Sequence, residues 1–430
     1  MYDLVIIGAG WAGFNAGLKA KEAGLKTAIV DKSQLGGTCL NLGCIPTKTL
    51  IQSAKIFNLV KKSSTFGINT SNPIVDFPKI QERKDKVIQQ LRNGMQSMLK
   101  EIDYISGEAQ LISANEIKIS GNNTLQAKTI LIATGSAPYE LGQFKFDTNK
   151  ILSSNEILSL KAIPESLLII GGGVIGCEFA GLFSALGSKV SVVEKMPQLL
   201  PGEDKEIARK LENSFKKKGI KVNANTDASG LNIHEFEIAL VCVGRSSQTQ
   251  GLGLDKLGIK TEKGRIIVDE YLRTNISNIY AAGDCASSIM LAHFAAYQGR
   301  LAVENIIHPD NPKKGVSASV PNCIFTDPEI ASVGLNEEKA MASGLTVDIH
   351  RFDFMGSGMA RILDEAEGFI KIVSDKDSGK ILGASIIGPK ATELIGILTL
   401  AVTNSLTIKD LRKTIFSHPT LSESISEALG

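Results

Sequence analysis

Two copies of one open parallel-sheet unit, followed by a smaller α+β region, make up the α/β fold that this sequence predicts. Three observations predict it. Residues 4–7 form an apolar, partly β-branched run leading into Gly8-Ala9-Gly10-Trp11-Ala12-Gly13, an Ala-rich helix to about residue 23, and a second apolar run at 27–30 closed by Asp31. The same order recurs in residues 167–170, Gly171-Gly172-Gly173-Val174-Ile175-Gly176, a helix at about 177–185, and the run 189–193 closed by Glu194. In both copies the acid follows the first glycine by 23 positions, which a lone glycine-rich turn would not do. Third, residues 368–373 and 381–387 flank Asp377-Ser378-Gly379 as a hairpin, with a helix expected near 391–402.

Taken in order, these elements divide the chain. At 430 residues it is too long for a single core. We expect residues 1–140 to form the first nucleotide-binding domain and 141–265 the second. Residues 266–315 are expected to be a central segment returning to the first, and 316–430 the C-terminal domain. Residues 55–100 read as a long helical stretch with a period of about 3.6. From Gly8 to Gly135 is 127 positions, but from Gly171 to Gly244 only 73, so the second unit is short. There Asn225-Thr226-Asp227-Ala228-Ser229-Gly230 crosses directly, where a hairpin is missing.

The glycine turns serve an anion. They let the backbone approach a pyrophosphate at a helix N-terminus, where unpaired N–H groups and the helix dipole favour negative charge. Asp31 and Glu194 stand where strand-end carboxylates accept hydrogen bonds from ribose hydroxyls. Both units therefore read as Rossmann-like dinucleotide sites, and two dinucleotides in one chain imply electron transfer between them. Glu194 also selects: a carboxylate pairs with the 2′-OH of NAD and repels the 2′-phosphate of NADP. Lys195 alongside weakens that selection without reversing it.

Composition excludes other classes. A net charge of +2 gives no reason to expect nucleic acid or an anionic membrane as partner. One tryptophan and 5% aromatic residues argue against a carbohydrate or single-strand surface. Six cysteines are too few for a disulfide scaffold. The chain runs straight into a buried strand with no charged leader and no uninterrupted apolar span, so a cytoplasmic location is expected. Histidines 234, 293, 308, 350 and 418 lack ligand spacing, so no metal site is expected, and His308 and His350 read as surface residues.

Cys39 and Cys44 lie in Gly36-Gly37-Thr38-Cys39-Leu40-Asn41-Leu42-Gly43-Cys44-Ile45-Pro46-Thr47-Lys48, just after the first turn. Two cysteines beside a redox dinucleotide can cycle between dithiol and disulfide, the usual use of such a pair in a reducing compartment. Cys177, Cys242, Cys285 and Cys323 lie in apolar contexts and read as small packed side chains.

These residues resemble the pyridine nucleotide–disulfide oxidoreductases, the flavoprotein disulfide reductases, over nearly the whole chain. Ala133-Thr134-Gly135-Ser136 resembles that family's return from its first domain. Residues 274–284, ending in Ala281-Ala282-Gly283-Asp284, resemble its second FAD motif. Val241-Cys242-Val243-Gly244-Arg245 resembles the exit from its second domain, although Ser246-Ser247-Gln248 departs from the family's order. The resemblance implies FAD in the first unit, at Gly8, Gly10, Gly13, Asp31, Lys48, Thr134, Gly135 and Asp284. It implies NAD in the second, at Gly171, Gly173, Gly176, Glu194 and Gly244, and a homodimer formed through the C-terminal domain. Leu291-Ala292-His293, Thr326-Asp327-Pro328-Glu329 and Ser417-His418-Pro419-Thr420-Leu421-Ser422-Glu423 are most similar to one branch. That branch oxidises dihydrolipoyl dithiols for 2-oxo acid dehydrogenase or glycine cleavage complexes.

On that resemblance Cys44 lies against the flavin and Cys39 nearer the substrate. His418 is the base, oriented by Glu423 and reaching the sulfurs of the other subunit, while Lys48 pairs with Glu178 beside the flavin. Two alternatives stay open: an NAD(P)H-dependent reductase of another small disulfide, and a flavin-binding scaffold without turnover.

Overall fold

The computed structural model describes residues 1–121, 123–315 and 319–430, so the expected boundary at 316 lies outside the described residues. In the first sheet, β1 (Tyr2–Ile7) and β2 (Thr27–Asp31) are parallel and joined by helix α1 (Trp11–Glu22). Asp103–Ser106 extends the sheet beyond β2, and Asn123–Ile132 pairs with β1 on its other side. Leu4, Val5 and Ile6 are fully buried, which is why this strand reads as a continuous apolar run rather than an alternating one. Strands Ala109–Ser113 and Glu116–Ile119 lead antiparallel into Asn123–Ile132, completing a meander.

Between β2 and the meander lie α2 (Gly37–Leu42), α3 (Cys44–Lys61) and α4 (Phe77–Met98). The continuous helix expected over 55–100 is therefore broken. Ser63–Phe66 makes a 3-10 turn, Gly67 takes a φ of +74°, and residues 68–76 carry no regular structure. Pro73 lacks the N–H a helix needs and disfavours helical backbone at Asn72. Asp76 then restarts the helix, its carboxylate accepting from Lys79 N at 3.1 Å.

The second sheet is wholly parallel, in the order Lys221–Asn223, Lys189–Val193, Ser166–Ile170, Ile238–Val241, Ile151–Leu152. Helices α5 (Val174–Leu186) and α6 (Lys205–Lys217) belong to it. Where the first unit carries its meander, residues 224–237 form only the 3-10 turns Ala228–Gly230 and Ile233–Glu235. Leu231, Ile233 and Phe236 of this short crossing pack with Phe144 against Leu168, Ile170 and Val241, so the exposed sheet face is still covered.

The chain then returns to the first sheet through Ile279–Ala281, parallel to Asn123–Ile132, and α7 (Ala292–Ile307) packs on α1. Gly299 permits that crossing, since a Cβ there would lie 2.1 Å from the Ala12 carbonyl oxygen. The C-terminal region is a five-stranded antiparallel sheet, in the order Asn322–Ile324, Glu329–Gly334, Ile381–Gly388, Phe369–Asp375, Val347–Asp353. The expected hairpin is its centre, and the helix Ala391–Thr403 packs on it. Lys371, with a side chain 3% exposed, reaches Asp204 at 3.0 Å and Glu206 and Glu337 at 2.7 Å, fastening this sheet to α6. Among the described residues no helix is long and apolar enough to cross a membrane.

Candidate active site

The two glycine turns are built alike. Gly8 and Gly171 take φ values of +108° and +114°, a region that side chains disfavour. A Cβ on Gly13 would meet the Gly8 carbonyl oxygen at 1.8 Å, and one on Gly176 the Gly171 oxygen at 1.9 Å. The third glycine of each turn thus lets the helix start pack against the strand end. Gly10 and Gly173 are the N-cap residues of α1 and α5.

Both acids brace their own turns. Asp31 Oδ2 accepts from Ala9 N at 2.5 Å and Oδ1 from Ser33 N at 2.7 Å. Glu194 Oε2 accepts from Gly172 N at 2.6 Å and Oε1 from Met196 N at 2.7 Å. Each carboxylate keeps lone pairs for a ribose hydroxyl, because a carboxylate has about four acceptor positions. Lys195 turns to Asp227 of the short crossing at 3.3 Å, an exposed pair.

A cavity of about 660 Å³ opens on the first turn and is lined by Gly10, Asp31, Gly37, Thr38, Thr134 and Gly135, among others. It adjoins a second of about 610 Å³ that shares Gly37 and Thr38 and reaches Asn41 and Arg245. Gly37 faces Gly10 across the floor, where a Cβ would come within 2.7 Å of the Gly10 Cα. Ser136 Oγ donates to Asp284 Oδ2 at 2.6 Å and accepts from Arg245 Nε at 2.8 Å. Arg245 and Ser136 went unassigned by sequence reasoning. Their only signal was the family-like segment around each, because 109 positions separate them.

The thiol pair sits where α2 meets α3, and both sulfurs are free and half-buried. Cys44 opens α3, so the positive end of that helix adds to its acidity. Its thiol is drawn down to about 7, first by the hydrogen bond from Cys39 and then, against burial, by the charge on Lys48. Cys39 is pushed up because it donates to Cys44 and because it is buried. Charge therefore collects on Cys44 and the proton stays on Cys39.

Lys48 lies one turn beyond Cys44 on α3, and its Nζ reaches Glu178 Oε1 at 2.8 Å and Oε2 at 2.7 Å. Glu178, 3% exposed on α5, also accepts from Phe325 N at 3.0 Å. The Phe325 ring centroid lies 4.9 Å from Lys48 Nζ, so one carboxylate gathers α3, α5 and the entry to the C-terminal sheet. The remaining thiols stay protonated: burial pushes Cys177 and Cys285 up, Cys242 to about 12 and Cys323 to about 11.

His418 and Glu423 meet on the C-terminal domain, away from these thiols in sequence and element. His418 Nδ1 lies 2.8 Å from Glu423 Oε2, and Glu423 Oε1 accepts from Thr420 N at 3.1 Å. Hydrogen bonds from His418 and Thr420 hold the Glu423 carboxyl below the usual range. Arg412 anchors the end of the short helix Glu423–Glu427 through the Leu429 carbonyl. The imidazole itself is 80% exposed, presenting Nε2 outward. His350 corrects the surface reading: it is half-buried, 3.0 Å from Ser374 Oγ, and burial holds it below the ordinary histidine range. His308 is exposed as expected. Among the described residues no group of three or more His, Cys, Asp or Glu side chains could hold a metal ion.

Two nucleotide turns together with an acidified thiol pair define a pyridine-nucleotide-linked dithiol–disulfide oxidoreductase. Residues 2–299 match the family described as pyridine nucleotide-disulphide oxidoreductase, and residues 320–429 match its dimerisation domain. The chain belongs to this family. It is 41% identical to the dihydrolipoyl dehydrogenase of Chlamydia muridarum, with 99% of this chain and 96% of that one covered. It is 38% identical to the dihydrolipoyl dehydrogenase of Bacillus subtilis, with 99% and 97% covered. Among solved structures, LpdA of Mycobacterium tuberculosis superposes with a TM-score of 0.91 at 28% identity, over 99% of this chain and 98% of that one. The HOCl-induced flavoprotein disulfide reductase RclA of Escherichia coli, as its Cu(II) complex, gives 0.90 at 29%, over 100% and 98%.

Proposed function

We propose that this chain, as a cytoplasmic homodimer, oxidises the dithiol of a dihydrolipoyl group to its disulfide. It passes the two electrons through FAD to NAD⁺, serving a 2-oxo acid dehydrogenase or glycine cleavage complex. The observation that carries this reading is the free thiol pair at the junction of α2 and α3, with Cys44 opening α3 one turn before the lysine of the Lys48–Glu178 ion pair. The names of the relatives at 37–41% identity agree with it.

The first unit fits FAD. One cavity begins at a helix N-terminus over the facing glycines Gly10 and Gly37, and the adjoining one reaches Ser136, which hydrogen-bonds to Asp284 and Arg245. Gly8, Gly10, Gly13, Asp31, Thr134, Gly135 and Asp284 would hold the dinucleotide, with Lys48 at its reactive end. The second turn fits NAD, since a Cβ on Gly173 would meet nothing within 4 Å and Glu194 keeps free lone pairs. FAD, when bound, supplies a two-electron carrier between a thiolate and a nicotinamide.

The chain's own residues handle the sulfur and proton steps. With Cys39 and Cys44 joined, a substrate thiolate attacks the Cys39 sulfur; that bond forms, the Cys39–Cys44 bond breaks, and Cys44 leaves as the thiolate beside Lys48. His418, contributed across the dimer, takes the proton of the second substrate thiol at Nε2 while Glu423 steadies Nδ1. The new thiolate closes the substrate disulfide and expels Cys39, which takes a proton from His418. The dithiol has lost two electrons, now held as the Cys39 thiol and Cys44 thiolate.

The test is turnover of purified flavin-bound protein with dihydrolipoamide, comparing NAD⁺ with NADP⁺. NAD⁺ reduction at the higher kcat/KM is expected. No NAD⁺ reduction, with NADH or NADPH consumed by a different small disulfide, overturns the reading in favour of a general disulfide reductase. Failure of NADH to bleach the flavin would leave a scaffold.

A further inference from the structure

The end of the second strand of the second unit carries both signs of charge, because Glu194 is followed directly by Lys195. The acid suits a ribose 2′-OH, and a cation at this strand end suits a 2′-phosphate. Glu194 is fixed, 8% exposed with both oxygens bound to backbone N–H groups. The Lys195 side chain is 80% exposed and has no such anchor of its own. What it pairs with therefore decides which of the two signs a nucleotide meets.

The short crossing supplies the partner. Backbone hydrogen bonds lace it to the strand end: Glu194 N donates to the Asn223 carbonyl at 2.9 Å, Thr226 N to the Glu194 carbonyl at 2.9 Å, and Asn225 N to the Met196 carbonyl at 2.8 Å. Asn225 takes a φ of +54°, a left-handed conformation that asparagine tolerates. Asp227 then caps the turn Ala228–Gly230. Its Oδ1 accepts from Ser229 N at 2.8 Å, and its Oδ2 meets Lys195 Nζ at 3.3 Å. Ala228 packs on the sheet face with Leu231, Ile233 and Phe236, so the crossing holds this carboxylate in place. Hydrogen bonds from Ser229, and then from Lys195, keep Asp227 below the usual carboxylate range, so it is an anion at neutral pH. An exposed pair of this kind adds little to stability. Its effect is on the charge offered to a ligand.

We propose that Asp227 is a second specificity-determining residue of the nicotinamide-nucleotide site: it occupies the Lys195 ammonium and adds its own negative charge, so that Lys195 is not left to receive a 2′-phosphate. Glu194 selects for the 2′-OH of NAD, and Asp227 silences the neighbouring cation that would admit NADP. The segment that replaces the meander of the first unit thus carries part of the cofactor choice. The inference deepens the NAD⁺ reading above and rests on it for the place of the nucleotide, but not on the identity of the dithiol.

The test is calorimetric titration of the oxidised, flavin-bound protein with NAD⁺ and with NADP⁺, which differ only in the 2′-phosphate, with no thiol present. The variants are Asp227→Asn, which keeps the cap on Ser229 N, and the same change combined with Lys195→Ala. Asp227→Asn should tighten NADP⁺ binding by about five-fold at low ionic strength and leave NAD⁺ binding unchanged, and the gain should shrink in high salt. Adding Lys195→Ala should return the ratio of the two dissociation constants to the parent value. An unchanged ratio in Asp227→Asn, or a gain that survives the loss of Lys195, overturns the proposal. Binding is read without turnover, so either result leaves the question of dihydrolipoamide oxidation to its own assay.

Discussion

Replacing Lys48 by methionine removes a positive charge that acts on both thiols and is held by the buried Glu178. Cys44 now ionises at about 7, so its thiolate is present above that pH and is lost as pH falls through it. An opposite charge this close shifts an acid by about one pH unit or more. A rise of about one would cut the thiolate fraction at pH 7.5 from about three-quarters to about one-quarter. Dithiol oxidation should then lose its acid limb at higher pH than in the parent protein. Stability should fall too, because Glu178 would keep only the Phe325 N–H; an uncompensated buried carboxylate costs about 3 kcal/mol, less for the partial exposure of the lysine. The assay is thiolate absorbance against pH in a Cys39→Ser background, where the serine hydroxyl keeps a donor to Cys44, with Lys48→Arg as the charged control. If the Cys44 midpoint in Lys48→Met stays where it was, Lys48 does not set the acidity of this thiol and the reasoning fails.

Four further outcomes are expected. His418→Ala should lower dihydrolipoamide oxidation by about 100-fold or more while flavin absorbance is unchanged, since a positioned base contributes at least that much. Glu194→Ser should reduce the NAD⁺ over NADP⁺ preference in kcat/KM by about ten-fold or more, the value of a hydrogen bond to a charged group. Gly176→Ala, whose methyl would sit 1.9 Å from the Gly171 oxygen, should raise the KM for NAD⁺ without displacing flavin, as judged by steady-state kinetics and absorbance. Lys371→Met leaves Asp204, 4% exposed, without its cation and should lower the thermal midpoint, by calorimetry, for a loss of about 3 kcal/mol.

Local chemistry was the legible part of this sequence. The two glycine turns, their acids and the C-terminal hairpin follow from short-range patterns, and each lies where its spacing indicated. The helical period misled over 55–100, where the residues between Gly67 and Asp76 interrupt a pattern that otherwise continues on both sides. The shortened crossing at 224–237 could be read as missing length, but its use of Leu231 and Phe236 to cover the sheet could not. The Lys48–Glu178 pair, expected from the family resemblance, spans 130 positions that no local spacing connects, and the packing of α3 on α5 closes it. Asp31 and Glu194 have a second task that no spacing reveals, which is tying down the backbone of their own turns. The Ser136–Asp284–Arg245 chain joins three segments and has no sequence signature of its own.

Glu178 lies about one helical turn beyond the cap of α5, so whatever settles on that cap also leans on the carboxylate holding Lys48. If a dinucleotide bound at that cap shifts α5, the Lys48–Glu178 pair shifts with it, and with the pair the acidity of Cys44. Reciprocity then requires the converse: ionising Cys44 must change the affinity of the second nucleotide by the same factor.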